Sequence, residues 1–331
     1  SIELAGRPAA DRDQARFEEL ESDTIVQFVV KDAVANVLCP ATKLWNTGHG
    51  ANMMREAVSL MGGYGLTEEG PGFLGQKWMD AQLEATYEGP EAVQRRLLSV
   101  AMTDPVFRAH MRGWIGEMRR IGGRMPGTGG CTLGTAMELW DWTLDHLLGA
   151  EDADGKPLYR DYRQGVTFNM ADALAWIVAA RQQVLDLLNL EAAREDNEAL
   201  GGTIDFLADL CRVQTARAAG EVARICTELV YGYNRHPKWK EDCRLCFHAD
   251  DLEALEGVMP GISATAYDVS DVIEADGAHP EKAGPCVRFD RLQPFTRIRA
   301  KLEGCLTESG LAKDRAARAL AAVEIDPALD Y

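Results

Sequence analysis

Two groups of residues in this chain have the types and spacing to do chemistry. The first is Tyr87-Glu88-Gly89-Pro90. Pro90 suits the first position of a helix, where a missing N–H costs nothing, and Glu91 favours the positive end of that helix's dipole. Glu88 therefore sits just outside a helix N-terminus, on a tight bend that could aim its carboxylate in one direction, as a general base requires. The plainer reading of the same residue is a solvated loop carboxylate. The second group is His236, Cys243, Cys246 and His248 in HPKWKEDCRLCFH. Two thiolates and two imidazoles are the right number and type for tetrahedral zinc. Their spacing argues against all four on one ion, because a residue two past a cysteine must loop back tightly to reach it. A Cys-x-x-Cys completed by Cys286 or Cys305, a redox pair and ordinary reduced thiols all remain open, with reduced thiols preferred.

The elements that must position Glu88 lie on either side of it. Upstream, Met53, Met54, Ala57, Val58, Leu60 and Met61 form an apolar helical pattern that ends at Gly62, Gly63 and Gly65, where glycine adopts positive φ without strain. A long loop is expected between this glycine turn and Tyr87. Further upstream the helical pattern begins near Asp13, with Phe17, Leu20, Ile25, Phe28, Val29, Val34, Val37 and Leu38 at three- and four-residue spacings. Pro40 is expected to interrupt it, and the next helix to span about residues 41–61. Gly48 and Gly50 fall inside that helix, as sites of close packing or of a short break near His49. Downstream, Asp104 or Thr103 with Pro105 gives a cap and first turn for a helix through Ile121.

Composition bounds the class of protein. The chain has 331 residues with 46% hydrophobic content, enough for one large or two ordinary cores. Its formal net charge of -17 argues against nucleic acid and anionic membrane surfaces as partners. Eight cysteines without dense, even spacing fit reduced thiols in the cytoplasm better than a disulfide framework. The start carries no secretory pattern, and the most apolar window, 171–180, is too short to span a bilayer and is followed by Arg181, so a core helix is expected and no membrane span.

The organisation expected is all-α: an irregular arm over 1–12, a helical bundle over 13–121, a glycine-rich linker over 122–134 and an additional helical domain over 135–331. The linker contains Gly122, Gly123, Gly127, Gly129 and Gly130, without the strand or Gly-Lys-Ser/Thr signature of a phosphate loop. Beyond it run three apolar stripes: Met137 to Leu148, Phe168 to Leu188, and Phe206 to Leu229. Such stripes are core or helix-pairing seams. Asp152-Ala153-Asp154-Gly155 has the start of a calcium loop without its remaining ligands, and is taken as an acidic turn. The end, from Pro294, reads as a last amphipathic helix pair with a short acidic tail.

The stretch 57–100 resembles the C-terminal helical domain of the flavin-dependent acyl-CoA dehydrogenase family. The matching residues are Ala57-Val58-Ser59, Gly62-Gly63-Tyr64-Gly65, Met79-Asp80, Tyr87-Glu88-Gly89-Pro90 and Gln94-Arg95, with Lys43 upstream where relatives carry a lysine. The resemblance implies that Glu88 removes the α-proton of an acyl-CoA thioester while the β-hydrogen leaves as hydride to FAD. It implies that Tyr87 and Gly89 meet the substrate, the N–H of Gly89 facing the thioester carbonyl. It assigns the pyrophosphate and adenine side of FAD to Ser59, Leu60, Met61, Gly62 and Gly63 and to Pro90, Glu91 and Ala92, commonly from a neighbouring protomer. An electron-transferring flavoprotein is the acceptor expected.

Four positions depart from the family pattern. Ser59 stands for a glutamine, Met79 for an arginine, Pro90 for a threonine and Val100 for a basic residue. The N-terminal helical domain and middle β-domain of usual relatives, with their Arg-x-x-Phe-Gly stretch, are not found ahead of this segment. The expectation is a subunit of a heteromeric FAD-dependent acyl-CoA dehydrogenase. This chain would contribute Glu88, and a second acyl-CoA dehydrogenase-like subunit the β-domain. The alternative is a non-catalytic structural subunit whose site has decayed.

Overall fold

The computed structural model describes residues 13–67, 73–151, 156–194, 201–232 and 289–322. Asp13 caps the first helix, α1 (Gln14–Ser22), by accepting the Arg16 N–H at 3.0 Å. Asp23 does the same for α2 (Thr24–Leu44), accepting from Ile25 and Val26 at 2.8 and 3.2 Å. Each carboxylate answers a donor that the first turn of a helix cannot pair internally.

Pro40 does not interrupt α2, contrary to the expectation from sequence. The helix passes through it and continues, by a π turn at Trp45–His49, into α3 (Gly50–Leu60). Val37, Pro40, Ala41 and Leu44 lie on one stripe and are all buried, so packing on that stripe holds the backbone across the missing N–H. The run Thr24–Leu60 is, among the described residues, the one long and apolar enough by length and composition to cross a membrane. Val37, Pro40, Ala41 and Leu44 in its middle are buried against the helices that follow, while 22% of its most apolar window is buried in all.

The stretch expected to be a long loop holds a further helix, α4 (Phe73–Glu84), which packs back on α3. Gly75 lies inside it, and its low helix propensity is outweighed here by the contact with α3. Then come α5 (Glu91–Ala101) and α6 (Pro105–Arg124), the latter capped by Asp104, which accepts from Val106 at 2.7 Å and Phe107 at 3.1 Å. Among the described residues the second half contains α7 (Gly130–Gly149), α8 (Gln164–Ala192), α9 (Gly201–Gly232), α10 (Phe289–Cys305) and α11 (Ser309–Ala321). No strand occurs among the described residues, and one isolated bridge joins Glu151 to Pro157.

Helices α6, α7, α8 and α9 form the centre. On one side α2 and α5 pack against α6 and α8; on the other α10 and α11 pack against α7 and α9. The three apolar stripes read from sequence are α7, α8 and α9, and the window 171–180 lies buried in the middle of α8. Trp140 at the heart of α7 is fully buried, and its indole N–H donates to the Met170 carbonyl at 3.0 Å.

The segment expected as a linker is a packed corner. Residues 122–124 finish α6, 130–134 begin α7, and Pro126–Thr128 make one 3₁₀ turn between them. A Cβ on Gly122 would lie 2.3 Å from the Cys131 nitrogen, and one on Gly130 would lie 2.6 Å from the Met118 carbonyl oxygen. The glycines therefore serve close backbone approach, not flexibility. Arg212 of α9 donates to the Pro126 carbonyl at 2.7 Å, and the Cys211 thiol donates to the Thr128 carbonyl at 3.4 Å. Arg108 to Asp145 at 2.6 Å and Arg112 to Asp141 at 2.8 Å clamp α6 to α7. One contiguous core cluster includes Val37 and Leu98 before the corner and Trp140, Ile177 and Leu302 after it.

Candidate functional site

Glu88 lies on the bend between α4 and α5. Its φ is 50°, and that of Gly89 is 95°, so two consecutive residues are in the left-handed half of backbone space. For a non-glycine residue this costs about 1–2 kcal/mol, and the surroundings must hold it there. They do so from two sides. Lys43, at the end of α2, donates to the Glu84 carbonyl at 2.7 Å and lies 4.7 Å from the centre of the Tyr87 ring. Gln94, on the first turns of α5 and only 7% exposed, donates its amide to the carbonyl oxygens of Glu88 at 3.4 Å and Gly89 at 3.1 Å. A Cβ on Gly89 would fall 2.2 Å from the Gln94 amide nitrogen, so glycine is required there for contact as well as for φ.

What the bend presents outward is chemically simple. The Glu88 side chain is exposed and has no ion pair or hydrogen bond among the described residues. The N–H groups of Glu88 and Gly89 likewise meet no acceptor there. Successive free N–H groups on such a turn form a concavity suited to an anion or a developing oxyanion. Tyr87, 41% exposed, lies beside them. Its hydroxyl donates to the Glu84 carboxylate, and that bond pushes the phenol above its usual range.

Behind the bend lies an ion network. Arg95 pairs with Glu91 at 3.0 Å and with Asp172 of α8 at 2.8 Å. Burial pushes the Asp172 carboxyl up, opposed by Arg95. Glu91 lies against the π turn, where a Cβ on Gly48 would be 3.1 Å from its carboxylate. In the same turn His49 stacks near Trp45 and Trp176, with ring centres 4.2 and 4.6 Å away; burial and then Arg217 hold its pKa below the usual histidine value. Close packing, expected at both Gly48 and Gly50, occurs at Gly48 alone, and the α-helix gives way to a π turn around His49, the alternative expected there. Gly50 faces open space.

The residues assigned to FAD fall into two separate places. Pro90, Glu91 and Ala92 open α5, with Pro90 as its cap. The N–H groups of Glu91 and Ala92 have no acceptor among the described residues, as at any helix start able to receive a phosphate. The Glu91 carboxylate, by contrast, is turned inward to Arg95. Ser59, Leu60, Met61, Gly62 and Gly63 lie at the far end of α3. Ser59 is eleven residues beyond Gly48, about 16 Å along the helix at 1.5 Å per residue. Nothing approaches within 4 Å of a Cβ built on Gly62 or Gly63, while Gly65 packs against the Val58 carbonyl. Leu60 is 88% exposed, and the Ser59 hydroxyl is spent on the Arg55 carbonyl at 3.1 Å. Both places offer main-chain groups and not side-chain charge, and they lie too far apart to meet one pyrophosphate together.

Gln94 enters the sequence reading only through the matching Gln94-Arg95 pair, with no role in the site assigned to it. The signal was present: with Leu98 it occupies the buried face of α5, and a glutamine on such a stripe needs acceptors. His236, Cys243, Cys246 and His248, and with them Cys286 and Asp152 to Gly155, lie outside the described residues. Among the described residues no group of three or more His, Cys, Asp or Glu side chains could hold a metal ion. Cys305 is a half-buried free thiol near Thr135.

Residues 22–103 match the family model for the acyl-CoA dehydrogenase C-terminal domain. The match begins one residue before the cap of α2 and ends at the start of α6, so it contains α2 to α5 and the bend. No curated protein and no solved structure matches the chain.

Proposed function

We propose that this chain is a subunit of a heteromeric FAD-dependent acyl-CoA dehydrogenase and that Glu88 is the base of its α,β-desaturation. The observation that carries this is the Glu88–Gly89 bend, held at positive φ inside the matched domain with a free carboxylate and free N–H groups side by side. Glu88 takes the α-proton of the acyl-CoA thioester onto a carboxylate oxygen. Charge gathers on the thioester oxygen as the proton leaves, and the N–H of Gly89 is placed to receive it. The start of α5 at Glu91 and Ala92 meets the FAD phosphates, and the open backbone at Gly62 and Gly63, which lies too far along α3 to share them, meets the pyrophosphate or adenine side of a FAD bound by a neighbouring protomer. Bound at the start of α5, FAD supplies the acceptor for the β-hydride.

The wall opposite Glu88 comes from a second, acyl-CoA dehydrogenase-like subunit that carries the β-domain. Large apolar side chains left in solvent on the matched segment support this: Phe28, Met53, Leu60, Leu83, Leu97 and Val100 are all exposed. A partner would cover them and exclude water from the carboxylate, which raises a base towards its task. Electron-transferring flavoprotein is the acceptor in this scheme, and the cytoplasm the compartment, in keeping with the free thiols of Cys39, Cys131 and Cys305.

The complex purified with its native partner tests the base. Glu88→Gln should abolish desaturation and leave the yellow complex intact; full activity would move the base elsewhere. A second possibility, a structural subunit with a decayed site, is favoured by Pro90, which offers no N–H, and by the internally bonded Ser59 hydroxyl. It predicts that the partner carries its own glutamate in this role and that Glu88→Gln costs nothing.

A further inference from the structure

We infer that Gln94 is the positioning residue of this site: its buried amide holds the Glu88–Gly89 bend so that the carboxylate and its neighbouring N–H groups face the substrate together. The inference rests on the proposed role of Glu88. In a trans peptide the C=O and N–H point in opposite directions. Gln94 draws the Glu88 carbonyl oxygen inward, at 3.4 Å, and so turns the Gly89 N–H outward. The second bond, 3.1 Å to the Gly89 carbonyl oxygen, fixes the next peptide, which ends at Pro90 and has no N–H of its own. Both amide hydrogens of one side chain are thereby used on adjacent peptides. Glu88 could relax out of its positive φ if either were lost.

Gln94 itself is 7% exposed and sits on the inner face of α5, so it does not touch the substrate. Its neighbours make the arrangement rigid. Arg95, the next residue, ties α5 to Asp172 of α8 at 2.8 Å, so the amide that grips the bend is anchored to the central bundle. Lys43 holds the other end of the bend at the Glu84 carbonyl. Glu88 is thus suspended between two fixed points.

The test uses the native complex with Gln94→Met, which keeps the volume and removes the donors. Two quantities are read: kcat and KM for the acyl-CoA, and the heteronuclear NOE of the Gly89 amide after selective 15N-glycine labelling. The expected result is loss of rigidity at Gly89 and a fall in kcat of about 100-fold, the cost of a misplacement of about 1 Å, with KM and the unfolding temperature nearly unchanged. Gln94→Glu, which sets an acceptor against two acceptors, should lose at least as much. Should Gln94→Met fail to fold, Gln94→Asn carries the comparison, since it keeps the amide but withdraws it from the bend. An equally rigid Gly89 in a folded variant would overturn the inference, as would an unchanged kcat where Glu88→Gln is inactive. An active Glu88→Gln would overturn the proposed base, and with it any catalytic part for Gln94, while the NOE alone would still decide whether Gln94 holds the bend.

Discussion

The segment that matches a known domain and the helical region that follows it are built to different degrees of completion. From α7 onward most of the large apolar side chains among the described residues are buried, Trp140, Leu144, Leu147, Met170, Ile177 and Val222 fully so, with Leu148, Tyr162, Leu311 and Leu320 as exposed exceptions. In α2 to α5 the buried stripe is narrow, and each helix leaves a second apolar face in water. The difference separates two jobs. The later helices hold most of the described core, and the matched segment leaves large apolar side chains in solvent, as the proposed partner subunit requires.

The largest expected effect of breaking that contrast is in the core. Trp140→Ala removes a fully buried indole and leaves the Met170 carbonyl without its donor, so it should cost about 3–5 kcal/mol in urea unfolding. Leu97 is 53% exposed on α5. Leu97→Ala should change unfolding by less than about 0.5 kcal/mol, yet weaken binding of the partner subunit by about 1–2 kcal/mol in a titration. Equal loss of stability from both substitutions would erase the distinction between the two regions.

Glycine positions sharpen it further. At Gly129 φ is 74°, and an added Cβ would lie 1.9 Å from the Thr215 hydroxyl oxygen; at Gly62 φ is 60°, but nothing lies within 4 Å. Gly129→Ala should therefore cost more than about 2 kcal/mol, strain and overlap together, and Gly62→Ala about 1 kcal/mol from the backbone alone. If Gly62 lies against the flavin phosphates, the second substitution should instead be felt in FAD retention. Glu88→Gly should stabilise the isolated fold by up to about 1 kcal/mol, because it removes the strain of φ 50° while destroying the base. Denaturant curves of the three variants give the ranking.

How much of this could be read from the amino acids varies with the kind of signal. The later helices were legible because their three- and four-residue apolar spacing survives into α7, α8 and α9. The corner at 122–130 was not, since a run of glycines looks the same whether it loosens a chain or lets two helices touch; only the 2.3 Å approach at Gly122 decides. Pro40 misled for a related reason: propensity is local, and what carries α2 through the proline is a buried stripe assembled from distant helices. Around the bend, the identity of Glu88 came from motif resemblance and the cap from Pro90 and Glu91. Its positive φ is a tertiary fact that no spacing encodes, and the place of Gln94 on a buried stripe says that it needs acceptors but not that they are the carbonyls of the bend.

The smallest effect is electrostatic and belongs to the later region. His146 on α7 stacks on Trp142, with ring centres 5.3 Å apart and planes 8° from parallel, and its Nε2 is buried without a partner. Burial alone lowers its pKa below the usual value of about 6.5. A histidine with a depressed folded pKa leaves stability whole above its unfolded pKa. As pH falls from there through the lower folded value, the unfolded chain takes up a proton more readily and stability is lost. His49 and His110 are shifted in the same direction by burial and by Arg217 and Arg181 respectively, so the urea midpoint should fall on acidification below neutrality. His146→Phe keeps the stacking and removes one titration, so its midpoint should fall less over the same range. A variant as acid-sensitive as the parent chain would remove His146 from the slope and leave it to His49, His110 and the other titrating groups; of these two histidines, only His49 lies in the matched segment beside the bend.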